Sequence, residues 1–451
     1  MPVLRALIAT SILLVGLPSL ANADSSPERW VSTWAAPPVA RVDQPAQTLS
    51  ATAQAFPWAK DVPASVRDAT PGQELDVGGG SSLHFKDQTL RQVARVSVGG
   101  ARVRVVLANT FGTQALRIGA AQVALRDKGA AITAGSNRVL TFGGISQPLV
   151  PAGALLVSDP VDLPVPDFAD LVVDIYLPDN TAAAKSPVTF HPASWQVNYV
   201  SRPGNHAGAV TFPVAATTAY RRSDGLPSAS SFFLSRVEVE ARQAAGLLVA
   251  FGDSITDGTQ SGIDQNLRWP DLLAGRLAAA GIRISVVNGG IGGGRVLEDG
   301  VGPNALARFD RDVLAQPGVT HVTVLEGVND IGVGGAKPSP SVAELISGHK
   351  QLIARAHARG LRIYGATLTP FEGAAYWTPE GEAKRQALNE WIRTGGAYDA
   401  VLDFAAVVQD PARPTKSRPE YDSGDHLHPS SAAYAAMANS IDLGLFRPTK
   451  E

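Results

Sequence analysis

The feature that most restricts the fold of this chain is a change of texture near Arg242. Beyond it, apolar runs of strand length at 247–251, 284–287, 321–325 and 361–367 alternate with helix-length segments at 269–280, 305–315, 342–359 and 382–393. The helical segments place apolar residues three and four apart, as at Leu272, Leu273 and Leu277 with Arg276 turned outward. Alternation of this kind predicts a parallel sheet covered by helices on both faces. Right-handed crossovers then bring every strand's carboxyl end to one edge, where open α/β sheets bind ligands.

Before Arg242 the pattern is different. Short alternating runs separated by Gly, Pro, Asn and Asp predict strands at 92–98, 102–107, 121–125, 154–157, 171–177 and 232–239. The first two flank Gly99-Gly100 and read as a hairpin. Many short strands with turn signals suggest a β-sandwich or jelly-roll module. Periodicity is weaker from Val39 to Leu83, where 78–82 reads as a glycine-serine loop. A chain of 451 residues is in any case long for one core. The expected division is a leader at 1–23, a β-rich domain at 24–242 and an α/β domain at 243–451.

The leader has the form of an export signal. Arg5 supplies the positive start, 6–17 is apolar, and Ala21-Asn22-Ala23 offers small residues for cleavage. Its apolar stretch is shorter than the roughly 20 residues a bilayer requires, so a cleaved, unanchored periplasmic or secreted protein is expected. Cysteine is absent, which excludes disulfides, thiol nucleophiles and thiolate metal sites. With 39 basic and 41 acidic side chains and no basic block, a nucleic-acid partner is not expected.

Four segments after Arg242 place polar or glycine residues where the sheet would converge them. Phe251-Gly252-Asp253-Ser254 ends the first strand, with Asp253 or Ser254 available as a helix N-cap. Asn288-Gly289-Gly290-Ile291-Gly292-Gly293-Gly294-Arg295 follows the second and exposes backbone N–H groups. Glu326-Gly327-Val328-Asn329-Asp330 follows the third, and Asp422-Ser423-Gly424-Asp425-His426-Leu427-His428-Pro429 precedes a C-terminal helix at 432–443. Serine is a weak nucleophile until an adjacent base accepts its proton. His428 is the candidate base and Asp425 the group that would fix its tautomer, with His426 as the rival base. Asn329 or Asp330 would otherwise serve as a helix cap.

From about 246 to 446 the sequence resembles the GDSL or SGNH hydrolase family. The resemblance implies a flavodoxin-like three-layer α/β/α domain, with Ser254 as nucleophile and Asp425 and His428 completing a triad. Backbone N–H groups of Ser254 and Gly293 and the amide of Asn329 would form the oxyanion hole, with Gly292 or Gly294 as alternatives to Gly293. Ile255 stands where the family's motif has leucine. Trp30-Val31-Ser32-Thr33-Trp34, Leu90-Arg91-Gln92 and Ala108-Asn109-Thr110-Phe111-Gly112 resemble a bacterial subgroup with a β-rich region ahead of the hydrolase. The implied activity is ester hydrolysis through an acyl-enzyme, without metal or cofactor, on short-chain acyl or aryl esters. Alternatives are a carbohydrate O-acetyl esterase acting on acetylated polysaccharide, and a polysaccharide-binding protein that keeps the fold without catalysis. Arg295, Phe371, Tyr376 and Trp377 are the expected substrate contacts, the aromatics being suited to an acyl, aryl or sugar group. Trp30 and Trp34 would share one strand face, for packing or as a sugar platform. Asp257 is expected to cap or tether the first loop, and His84, His191, His206 and His321 are scattered with no spacing that suggests a zinc site.

Overall fold

The computed structural model describes residues 29–41, 85–181, 186–221, 227–241, 246–332 and 339–447. The expected leader at 1–23 and the loop at 78–82 lie outside the described residues. Antiparallel sheets fill the first part. One contains β1 (Trp30–Ala35), Leu234–Glu240, Gly100–Ala108 and Val161–Val165 in that order, with Leu155–Val157 also on Gly100–Ala108. A second has six strands with Gln88–Arg95 and Asp170–Leu177 at its centre. A third joins Val39–Arg41, β2 (Val188–His191) and Ser231–Phe232.

The hairpin expected around Gly99-Gly100 does not form. Gln88–Arg95 pairs within the six-stranded sheet, whereas Gly100–Ala108 pairs within the other. The chain crosses between sheets at Gly99, where a Cβ would lie 2.0 Å from the carbonyl oxygen of Val165. Alternating sequence fixes which faces are apolar, but the partner strand is chosen by burial on both sides. Trp30 and Trp34 do not form a platform either. A bulge between Ser32 and Trp34 breaks the alternation, Trp34 enters the core, and Arg104 stacks 4.3 Å from the centre of the Trp30 ring.

The second part is a five-stranded parallel sheet. Its strands are β3 (Gly246–Gly252), β4 (Ile284–Gly290), β5 (Val319–Leu325), β6 (Arg362–Ala366) and β7 (Ala400–Leu402), in spatial order β4-β3-β5-β6-β7. That is the 2-1-3-4-5 order of a flavodoxin-like sheet, whose ligand crevice opens where the order reverses, beside the first strand. The apolar run of β7 is only three residues long, too short to mark a strand in the sequence. Gly252, Gly290 and Leu325 are in register, so the segments that follow β3, β4 and β5 leave the sheet at one level. Major helices lie at Trp269–Ala279, Val342–His357, Pro379–Thr394 and Ser431–Ser440. The segment expected as one helix at 305–315 is α-helical at Ala305–Phe309 and π-helical at Asp310–Leu314.

The two parts share a continuous hydrophobic core that includes Val105, Val237, Leu248 and Val322. Polar contacts join them along β4, the edge strand of the parallel sheet, and at Gln316 just before β5. Ser285 Oγ donates to the Ser32 carbonyl at 2.6 Å, Val286 N donates to Ser97 Oγ at 3.0 Å, and Ser32 Oγ donates to Gln316 at 2.7 Å. Covering that edge removes an exposed template for strand pairing.

Candidate active site

The site begins where β3 ends. Asp253 caps the short helix α1 (Ser254–Asp257), its carboxylate accepting from Ile255 N at 2.9 Å, so Ser254 stands at the first helical position. Ser254 is buried apart from a small exposed fraction, and its Oγ lies 2.9 Å from His428 Nε2. His428 Nδ1 lies 2.6 Å from Asp425 Oδ2. Oδ1 of Asp425 accepts from Leu427 N at 2.9 Å and His428 N at 2.8 Å. Burial alone would raise the Asp425 pKa, but His428 and these amides overcome it and hold the carboxyl far below its ordinary range. The structure thus brings Ser254, His428 and Asp425 into one hydrogen-bonded line. His426, the rival base, is half-exposed and pairs with Asp422 instead.

The glycine loop after β4 packs directly on α1. A Cβ on Gly290 would meet Asp257 N at 2.3 Å, and one on Gly292 would lie 3.9 Å from Ser254 Cβ. Gly292 N donates to Asp257 Oδ2 at 3.1 Å and Gly294 N to the Ile291 carbonyl at 2.9 Å. Among the described residues Gly293 N, between them, has no acceptor, and its φ of 73° suits glycine. Ser254 N at the start of α1 likewise has none. Asn329 approaches from the end of β5, in the helix Val328–Gly332. Its Nδ2 donates one hydrogen to the Gly294 carbonyl at 3.0 Å, and its Oδ1 accepts from Tyr376 Oη at 3.3 Å. Asp330, weighed as a cap, instead receives Val296 N at 2.8 Å and Leu297 N at 3.1 Å. Burial pushes its pKa up to about 6.

Beneath this layer sits a charged cluster that the sequence did not single out. Arg308 is fully buried and donates to the carbonyls of Gly252 at 2.9 Å and Gly289 at 2.7 Å, the ends of β3 and β4. It also bonds Glu326 at 3.0 Å and Asp312 at 3.3 Å, and stacks 3.9 Å from the Phe251 ring centre. Burial raises the Glu326 carboxyl well above its usual range and the Asp253 carboxyl to about 7. A buried arginine needs acceptors, and Glu326 lies in the motif segment after β5; that was the available signal.

One of the expected substrate contacts, Phe371, requires correction. Phe371 is completely buried and packs its ring 6.0 Å from that of Tyr376, so it supports the loop from within the core. Tyr376 is buried too and serves Asn329 through its hydroxyl. Trp377 is partly buried against the core, and Arg295 faces Glu298 at 3.7 Å. Apolar area drove the aromatics inward. Asp257 does tether the first loop, but with an unforeseen partner: His191 Nε2, from β2, lies 3.1 Å from its Oδ1.

Residues 250–436 match the GDSL-like lipase/acylhydrolase family. No curated protein matches the chain. Similar solved structures include the lipase/acylhydrolase from Enterococcus faecalis, at 20% identity over 43% of this chain and 92% of that one, with a TM-score of 0.35. The psychrotrophic esterase EstA from Pseudoalteromonas sp. gives 20%, 43%, 93% and 0.33, and a GDSL-like lipase from Bacteroides thetaiotaomicron VPI-5482 gives 20%, 43%, 84% and 0.32. Carrying the serine, glycine, asparagine and histidine segments in order within the matched residues, the second part of this chain is a domain of the GDSL-like lipase/acylhydrolase family.

Proposed function

We propose that this protein is an exported serine esterase that cleaves carboxylic esters, short-chain acyl or aryl esters being the expected class. The observation that carries the proposal is the line from Ser254 Oγ to His428 to Asp425, at 2.9 and 2.6 Å, beside two amides that have no acceptor among the described residues. His428 Nε2 takes the Ser254 proton as Oγ attacks the acyl carbonyl. The oxyanion is received by Ser254 N, Gly293 N and the second amide hydrogen of Asn329. Collapse of the intermediate expels the alcohol, which leaves with the proton from His428. Water then attacks the acyl-enzyme, His428 again accepting a proton and returning it to Ser254 Oγ as the acid departs. Export is supported by the leader sequence at 1–23.

The test uses a fluorophosphonate probe, with the adduct located by mass spectrometry and Ser254→Ala as control. Labelling at Ser254 alone, and loss of p-nitrophenyl acetate hydrolysis in a folded Ser254→Ala protein, are expected. Unchanged turnover in that variant would refute a serine-dependent reaction.

A further inference from the structure

His191 stands on β2, in the antiparallel part of the chain, yet it is buried against the turn that carries Ser254. Both its ring nitrogens face acceptors when Asp257 is ionised: Nδ1 is 2.8 Å from the Pro37 carbonyl oxygen and Nε2 is 3.1 Å from Asp257 Oδ1. A neutral imidazole has one N–H and satisfies one of the two; an imidazolium satisfies both. The other oxygen of Asp257 holds Gly292 N. The relay therefore runs from a β-rich sheet through His191 and Asp257 to the amide beside Gly293. Its base is itself pinned: Gln92 exchanges two hydrogen bonds with the backbone of Phe232, at 2.6 and 2.8 Å, on the strand that pairs with β2.

We propose that His191, as a buried imidazolium, is a positioning residue for the oxyanion hole, fixing Asp257 and through it the glycine loop that presents Gly293 N. The inference rests on the reading of Ser254 as an esterase nucleophile. It makes the antiparallel part a contributor to the reaction rather than a separate module. Asp257 is the charged group facing His191; Arg268 and Asp253 act in turn on Asp257. Burial opposes the charge on His191, but the Asp257 carboxylate outweighs it and raises the imidazole's pKa above the ordinary value. The proton is thus held more tightly than on an ordinary imidazole and is lost as pH rises through that raised value, which loosens the relay.

Two variants separate charge from packing. His191→Gln keeps a donor toward Asp257. Asp257→Asn can keep every contact in neutral form, its Nδ2 donating to His191 Nε2, its Oδ1 accepting from Gly292 N, and Nδ1–H remaining for Pro37 O. Each is compared with the parent full-length protein by kcat and KM for p-nitrophenyl acetate across pH, by the rate of fluorophosphonate labelling at Ser254, and by thermal melting. Outright loss of an oxyanion donor costs on the order of a hundredfold or more, so a loosened one should cost about tenfold in kcat. The expected result is that fall in His191→Gln, at little-changed KM and with slower labelling, and in Asp257→Asn a kcat that no longer declines as pH rises, whereas the parent declines. A folded Asp257→Asn protein that keeps the parent's decline with rising pH, or a folded His191→Gln protein with the parent's kcat, would overturn the proposal while leaving Ser254 labelling intact. If neither variant folds, the parent's own profile decides, since kcat level through the alkaline range contradicts a titrating His191. Absence of labelling at Ser254 in the parent would instead overturn the esterase reading, and the positioning role with it.

Discussion

Replacement of Asp425 by Asn should be far more damaging than its near-identical shape suggests. In the parent, Oδ1 is fixed by two backbone amides, from Leu427 and His428, and Oδ2 receives His428 Nδ1–H. An asparagine can satisfy those amides only by keeping its carbonyl oxygen at the Oδ1 position, because the reverse orientation sets an NH2 group against two N–H donors. The NH2 must then point at His428 Nδ1, which has to offer a lone pair. The proton moves to Nε2, the atom 2.9 Å from Ser254 Oγ, and the base can no longer accept the serine proton. A wrong tautomer of this kind costs about 10⁴ in kcat, or roughly 5 kcal/mol of transition-state stabilisation. The assay is kcat for p-nitrophenyl acetate at neutral pH, with thermal melting to confirm the fold. A folded Asp425→Asn protein retaining more than a tenth of the parent's kcat would refute the assignment of Asp425 as the residue that sets the His428 tautomer.

Asn329→Ala removes a proposed oxyanion donor and should lower kcat by about 10²–10³, whereas Tyr376→Phe, which removes one orienting hydrogen bond, should cost on the order of two- to tenfold; both are read from kcat with the same ester. Asp253 holds its proton more tightly folded than unfolded, its pKa rising from 3.8 to about 7, so its contribution to stability declines as pH climbs from about 4 through 7. Asp253→Asn keeps the N-cap and should therefore gain melting temperature relative to the parent between pH 5 and pH 8, the gain bounded at about 4 kcal/mol; an equal difference at both pH values would contradict this. Arg308→Met strips the partner from buried Glu326 and two strand-end carbonyls and should destabilise by about 3–5 kcal/mol, measured by denaturant unfolding.

Much of the site was legible because its parts are local. A strand fixes where the residue after it emerges, so Ser254, the glycine loop and Asn329 could each be placed at the sheet's edge from a run of eight residues or fewer. Asp425 and His428 lie in one turn, and their three-residue separation carries the pairing. Tertiary contacts resolved what repetition left open. Three consecutive glycines are equivalent as letters, yet Asp257 occupies the Gly292 amide and Ile291 that of Gly294, leaving Gly293. Phe371 looked like a substrate contact because an aromatic loop residue gives no sign of whether apolar surface or ligand will cover it.

The amino-acid sequence by itself determined the parallel α/β domain, the edge at which its loops gather and the residue types placed there, since hydrophobic period and strand-end chemistry act over a few residues. Only the tertiary structure decided that Gln88–Arg95 and Gly100–Ala108 enter different sheets, that Arg308 ties the ends of β3 and β4, and that His191 meets Asp257 across 66 positions of chain. A lone histidine in a strand has no local signature. Its charge and its partner arise from burial beside one particular carboxylate, which exists only once the antiparallel sheets have docked on the parallel one.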